Sequence, residues 1–139
     1  MADKDGVPSE RDDWFQFFVH TANQTRAGGG LTLAIPGGII TGWLIGISEY
    51  FELAGKEAIE GVDDAELKRQ IEREITALGQ PDKGARDVEI TAVRHYHLKD
   101  ARFITAAGLI PNVGPGLLWR GRIQEVSGFA TRSLGPPTK

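Results

Sequence analysis

The run Leu31–Ile47 sets the tightest limit on how this chain folds. It is the longest apolar stretch in the sequence, yet Pro36, Gly37, Gly38, Gly42 and Gly46 interrupt it. A membrane span needs about 20 largely uninterrupted apolar residues, so the run reads instead as a bent pair of strands. Leu31–Ile35 alternates with period two, Pro36-Gly37-Gly38 supplies a turn, and Ile39–Leu53 continues as one long strand. Ile39, Thr41, Trp43, Ile45 and Ile47 take one face of that strand; Ile40, Gly42, Leu44, Gly46 and Ser48 take the other. Gly42 and Gly46 on one face permit a sharp bend and a second strand lying close over it, the habit of small barrels.

The stretch Gly116–Leu134 gives a second pair of strands around a tight corner. Leu118, Arg120 and Arg122 point one way, while Leu117, Trp119 and Ile123 fall mostly on the other side. Gly121 and Gly128 mark places where a side chain would obstruct a close backbone approach or a bend. Val126, Phe129 and Ala130 close a small core. Trp119 is expected to fill one end of it, with the Arg120 and Arg122 heads in solvent as an interaction surface, together with Arg102 and Arg132.

Between and before these stretches the chain alternates helix and strand. Ser9 with Asp12 caps a helix over about residues 10–25, whose broad apolar face is Trp14, Phe15, Phe17, Phe18, Val19 and Ala22. Gly28-Gly29-Gly30 ends it as a hinge; without a following Gly-Lys-Ser/Thr it is no phosphate loop. Asp63 with Glu66 opens a second helix, with Leu67, Ile71, Ile75 and Leu78 at helical spacing and Gly79-Gln80-Pro81 as its stop. Residues 80–87 read as polar loop, Val88–Ala106 as one or two strands, and Ala107–Gly116 as loop. The fold expected is therefore α+β, mainly β. It is a small, strongly bent antiparallel sheet or Sm/SH3-like barrel with an N-terminal helix and a helical insertion over about 55–87. Residues 9–134 form a single domain between disordered tails at 1–8 and 135–139.

Charge is unevenly spread. Residues 1–93 carry 9 Lys+Arg against 17 Asp+Glu, and residues 94–139 carry 7 against 2. Such a chain can associate head to tail or meet an acidic partner through its basic end. Catalysis finds no support: there is no cysteine, no G-x-S-x-G, no H-E-x-x-H and no P-loop. Paired acids such as Asp12-Asp13 and Asp63-Asp64 sit at helix starts, where capping explains them. His95 and His97 share one strand face, but with no second ligand cluster they read as a partly exposed pair and not as a metal site. No cofactor is expected.

Two short patterns resemble Sm proteins: Ile40-Thr-Gly42-Trp-Leu-Ile-Gly46-Ile-Ser-Glu-Tyr50-Phe-Glu-Leu53 and Trp119-Arg120-Gly121. That resemblance implies a nucleic-acid module with a basic patch of Arg102, Arg120, Arg122 and Arg132 beside Tyr96 and Trp119. Glu52 stands where that family has an amide and would repel phosphate, which makes this the second reading. A longer resemblance, over nearly the whole chain, is to the gas-vesicle accessory family GvpU. It is carried by Phe18-Val19, Ala22-Asn23, Ile40-Thr-Gly42, Ser48-Glu-Tyr-Phe51, His97-Leu-Lys-Asp100 and the eleven-residue block Trp119–Phe129. Residues 54–93 and 107–116 contribute little. The resemblance implies a non-enzymatic cytoplasmic protein that acts at the surface of assembled gas vesicles, contacts their shell proteins and clusters vesicles through self-association. Open strand edges and the aromatic helix add the expectation of a homo-oligomer, with no membrane partner.

Overall fold

The computed structural model describes residues 13–26, 28–80 and 89–136. The Ser9 cap, the tail over 1–8, nearly all of the 80–87 loop and the last three residues of the 135–139 tail lie outside them. The elements run α1 (Asp13–Thr25), β1 (Gly29–Ile35), β2 (Gly38–Ile45), α2 (Ile47–Ala58), α3 (Ala65–Ala77), β3 (His95–Thr105), β4 (Gly108–Ile110), β5 (Leu117–Arg122) and β6 (Gly128–Ala130). Single 3-10 turns at Ile90–Ala92 and Ile123–Glu125 precede β3 and β6. The class is α+β with an antiparallel sheet, as expected, but helix and strand contents are about equal rather than mainly β.

Five strands form the path β4-β3-β2-β1-β6, and β5 joins the β3 edge beyond β4. The last two strands are therefore not a hairpin: β5 pairs with β3, and β6 pairs with β1. In a flat sheet four strand spacings of about 4.8 Å would separate them. The link has only five residues and contains a 3-10 turn, which rises only about 2 Å per residue. The sheet must curl for this connection to reach. It is tied at both ends, by Ile123 N–H donating to Arg94 O at 2.9 Å and Ser127 N–H to Ala34 O at 2.9 Å. No pairing joins β5 to β6 among the described residues, so the barrel stays open.

Phe15, Val19 and Ala22 of α1 close over the sheet against Leu31, Leu33, Ile40, Leu44, Tyr96, Leu98, Ala101 and Ile123. Phe15 meets Tyr96 edge-on at 5.5 Å and Phe129 at 5.2 Å. Val126 and Phe129 join this core as expected, whereas Ala130 is exposed. Trp14 and Phe17, on the opposite side of α1, are 66 % and 56 % exposed.

The long strand expected over Ile39–Leu53 stops at Ile45, and α2 follows. Gly46 is the reason. A Cβ there would lie 2.5 Å from the Ala22 carbonyl oxygen, so this glycine lets α2 start against α1 and does not bend a strand. Asn23 Oδ1 accepts from Ile47 N–H at 2.9 Å and so caps α2 from across the fold. The bend lies instead at Gly42, where the β2–β3 register shifts between Thr41 and Trp43. The triple glycine is no hinge; Gly29 and Gly30 open β1. Ile90 and Ala92 belong to a 3-10 turn, not to a strand. The loop expected over 107–116 contains β4. The cap of α3 is Asp64, not Asp63: its carboxylate accepts from Glu66 and Leu67 N–H at 2.9 and 3.1 Å. A Cβ on Gly128 would meet nothing within 4 Å, so no steric demand places glycine there.

Candidate functional site

The pairing of β3 with β5 fixes the site. Its register sets His95 beside Arg122, Tyr96 beside Gly121, His97 beside Arg120 and Leu98 beside Trp119. Alternation then sorts these residues by face. Tyr96, Leu98, Trp119 and Gly121 share the core side; His95, His97, Arg120 and Arg122 share the other.

On the core side Trp119 is half-buried. Its indole Nε1–H donates to the Tyr96 hydroxyl at 3.0 Å, and its ring meets Phe103 edge-on at 5.3 Å. Tyr96 is 1 % exposed and the hydroxyl end of its ring packs on Gly121, where a Cβ would fall 2.4 Å from its ring and hydroxyl. Burial raises the Tyr96 pKa; the Trp119 hydrogen bond opposes this and Glu125 adds to it. Because the barrel is open, these aromatics border a hollow of about 410 Å³ between the β1–β2 turn and β5, with Arg120, Arg122 and Glu125 on its rim.

On the other side His97 is 1 % exposed. The Arg120 Nη1 lies 2.7 Å from its Nε2. Guanidinium has only donors, so Nε2 accepts and the ring is neutral with its proton on Nδ1. Tyr50 and Phe51 of α2 pack on the ring at 4.6 and 6.2 Å, and the Arg120 guanidinium sits 5.6 Å from the Phe51 centroid. Burial first, then Arg120, then His95 push the His97 pKa from 6.5 to about 3. His95 is lowered by burial and then by Arg120 and Arg122. Lys99 closes the row with an ion pair to Glu49 at 2.9 Å.

The five residues expected to form the interaction surface do not come together. Trp119, Arg120 and Arg122 are neighbours on β5. Arg120 is an exposed residue, but its head is bonded to His97, so it is not the freely solvated side chain expected. Arg102 is buried at 3 % exposure. Its guanidinium donates to Asp100 Oδ1 at 2.8 Å and to the Pro111 and Gly114 carbonyls, both at 2.7 Å, holding the β4–β5 loop. Arg132 follows β6 at the other edge of the sheet, where its carbonyl accepts from Thr32 Oγ1 at 2.7 Å. The basic patch that a nucleic-acid module would need therefore shrinks to the β5 pair.

Sequence reasoning missed Asn23, Tyr50 and Phe51 as parts of the site. The signal was present in the helical spacing of Ile47, Tyr50, Phe51 and Ala54. His95 and His97 share a face as expected, but His97 is buried. Among the described residues no group of three metal-capable side chains forms, and no helix is long and apolar enough to cross a membrane.

No curated protein and no solved structure matches the chain significantly. The family model described as gas vesicle protein GvpU-like matches residues 12–134, which takes in α1, the whole sheet and the helical pair. The chain therefore belongs to the GvpU-like family of gas vesicle proteins.

Proposed function

We propose that this gas vesicle accessory protein works without catalysis in the cytoplasm, at the surface of assembled vesicles, and clusters them by self-association. The family match over residues 12–134 carries the reading. The distribution of charge supports a mechanism. Residues 57–66 contain five acids (Glu57, Glu60, Asp63, Asp64 and Glu66) and no base, and all five are exposed at the elbow between α2 and α3. Arg122 is exposed beside the partly open Trp119 hollow. The elbow of one copy meets the Arg122 rim of the next, with Arg132 as a further exposed cation on the far edge.

Co-sedimentation with buoyant vesicles, run beside an RNA-binding assay, tests the assignment; tight RNA binding without vesicle binding would reverse it. Turbidity across a salt series tests the mechanism. Exposed charges are screened over about 8 Å at physiological ionic strength, so self-association should fall as salt is added, and Arg122→Glu should weaken it further with the fold intact. Assembly that strengthens with salt would replace charge pairing by apolar contact through Trp14 and Phe17.

A further inference from the structure

A second cavity lies on the α2 side of β3. It has a volume of about 250 Å³ and is lined by Asn23, Ile47, Ala92, Val93, Arg94, His95, His97 and Arg120. An engineered cavity of about 150 Å³ holds benzene, so this one has room for a small organic molecule. Three observations specify which kind.

The first is an unused donor. With Nε2 taken by Arg120, His97 carries its proton on Nδ1, and this buried atom has no hydrogen-bond partner among the described residues. A buried donor left unpaired is costly, and a ligand that accepts from it removes that cost. The second is the sign of the lining. Arg94, His95 and Arg120 border the cavity, and among the described residues no carboxylate lines it. Asn23 has committed its Oδ1 to Ile47 N–H, which leaves its amide Nδ2 to donate. The N-terminal end of the twelve-residue helix α2 opens here at Ile47, behind a Gly46 that offers no side-chain cap. The third is the remaining wall, Ile47, Ala92 and Val93, which is aliphatic. Donors and positive charge combined with hydrocarbon in one lining describe a small acid with a short apolar body. A phosphate ion would leave the aliphatic wall uncovered.

We propose that this cavity is a binding site for a small aliphatic monocarboxylate. Its carboxylate accepts from His97 Nδ1–H and Asn23 Nδ2–H beside the Arg120 guanidinium, and its alkyl body lies on Ile47, Ala92 and Val93. Nitrogen-detected NMR of the full chain, titrated at neutral pH with butyrate, tests this. Butyramide, of the same shape but uncharged, and inorganic phosphate are the comparison probes. Butyrate should shift the His97 ring and the Asn23 side-chain amide saturably, with butyramide at least about tenfold weaker, the ratio expected for losing one charge-assisted hydrogen bond. Asn23→Asp keeps an oxygen for Ile47 N–H while removing the donor and adding repulsion, and should cost at least about tenfold in butyrate affinity. Should that variant fail to fold, Arg120→Gln retains a donor for His97 without the charge and should weaken butyrate alone by a similar factor. The proposal is overturned if butyrate and butyramide bind equally, if phosphate saturates these signals and butyrate does not, or if butyrate shifts nothing up to roughly 0.1 M. Butyrate binding unchanged in a folded Asn23→Asp or Arg120→Gln protein would also overturn it.

Discussion

Mild acid should destabilise this protein through one buried ring. His97 has Tyr50 and Phe51 against it, the Arg120 guanidinium on Nε2, and His95 two residues away on the same face. None of these offers a negative charge, and Glu49 on the same helix is paired with Lys99. The folded state therefore holds His97 neutral down to about pH 3, whereas the unfolded chain protonates it near 6.5. Between those values the unfolded state binds one proton that the native state does not. Stability is complete above 6.5 and falls as the pH drops, by ~1.4 kcal/mol per pH unit for one proton. By pH 5 the loss is about 2 kcal/mol, a large fraction of the stability of a small domain. Urea denaturation at pH values from about 7.5 to 5 measures it. Other groups titrate in this range, so the informative quantity is the difference between wild type and His97→Gln. That variant keeps an acceptor for Arg120 and has nothing to protonate; it should start less stable and show a shallower pH slope. Parallel slopes would refute the argument, as would a His97 ring that titrates above pH 5 in nitrogen-detected NMR.

Three further outcomes follow from the same strands. Trp119→Ala should cost about 2–3 kcal/mol, below the roughly 3–5 typical of a fully buried aromatic because one side of the ring is open; Trp119→Phe should recover most of it, and thermal melts compare the two. Gly121→Ala should destabilise by about 1–3 kcal/mol, the range of ordinary overpacking, since the buried Tyr96 must shift away from a Cβ 2.4 Å from its ring and hydroxyl; a melting temperature unchanged from wild type would disprove this contact. Arg102→Ala should cost about 3–5 kcal/mol by removing the buried cation that pairs with Asp100 and holds two loop carbonyls, and Arg102→Lys should restore little because a compact ammonium lacks the planar guanidinium fork that spans these three acceptors; denaturant midpoints of the pair check it.

What could be read from the sequence was whatever depended on neighbours close along the chain. The β1–β2 turn, the existence of the apolar α1 and the helix through Leu67 and Ile75 are all local. Which α1 residues turn inward is not, since Phe15, Val19 and Ala22 are buried while Trp14 and Phe17 of the same expected face are exposed. Errors began where a residue's reason for being there lies on a distant segment. Gly46 looked like a strand bend because its nearest sequence neighbours alternate, but the atom that excludes a side chain is the Ala22 carbonyl, on a helix 24 positions earlier. Once Gly46 is assigned to helix packing, the period-two pattern ends at Ile45 and the helical spacing of Ile47, Tyr50 and Phe51 takes over.

The arginines make the same point from the energetic side. Arg102 and Arg120 both sit in strands among apolar residues, and from the sequence both are expected in an interaction surface. Whether a guanidinium can be buried depends on acceptors that only the fold collects. Arg102 finds three of them because the bulge at Asp100, where φ is +51°, swings a carboxylate back toward it while the loop brings two carbonyls from residues 111 and 114. The same carboxylate accepts from Gly116 N–H at 2.8 Å, so one strained residue orders both ends of the loop that leads into β5. Arg120 finds one acceptor among the described residues, His97, and remains an exposed residue. It is thus tied to His97 of β3 and sits over Phe51 of α2, and it also lines the open Trp119 hollow. Changing Arg120 must therefore disturb both faces of the sheet, whereas changing Arg122 touches only the surface. Arg122, and not Arg120, is the substitution that separates a loss of assembly from a loss of fold.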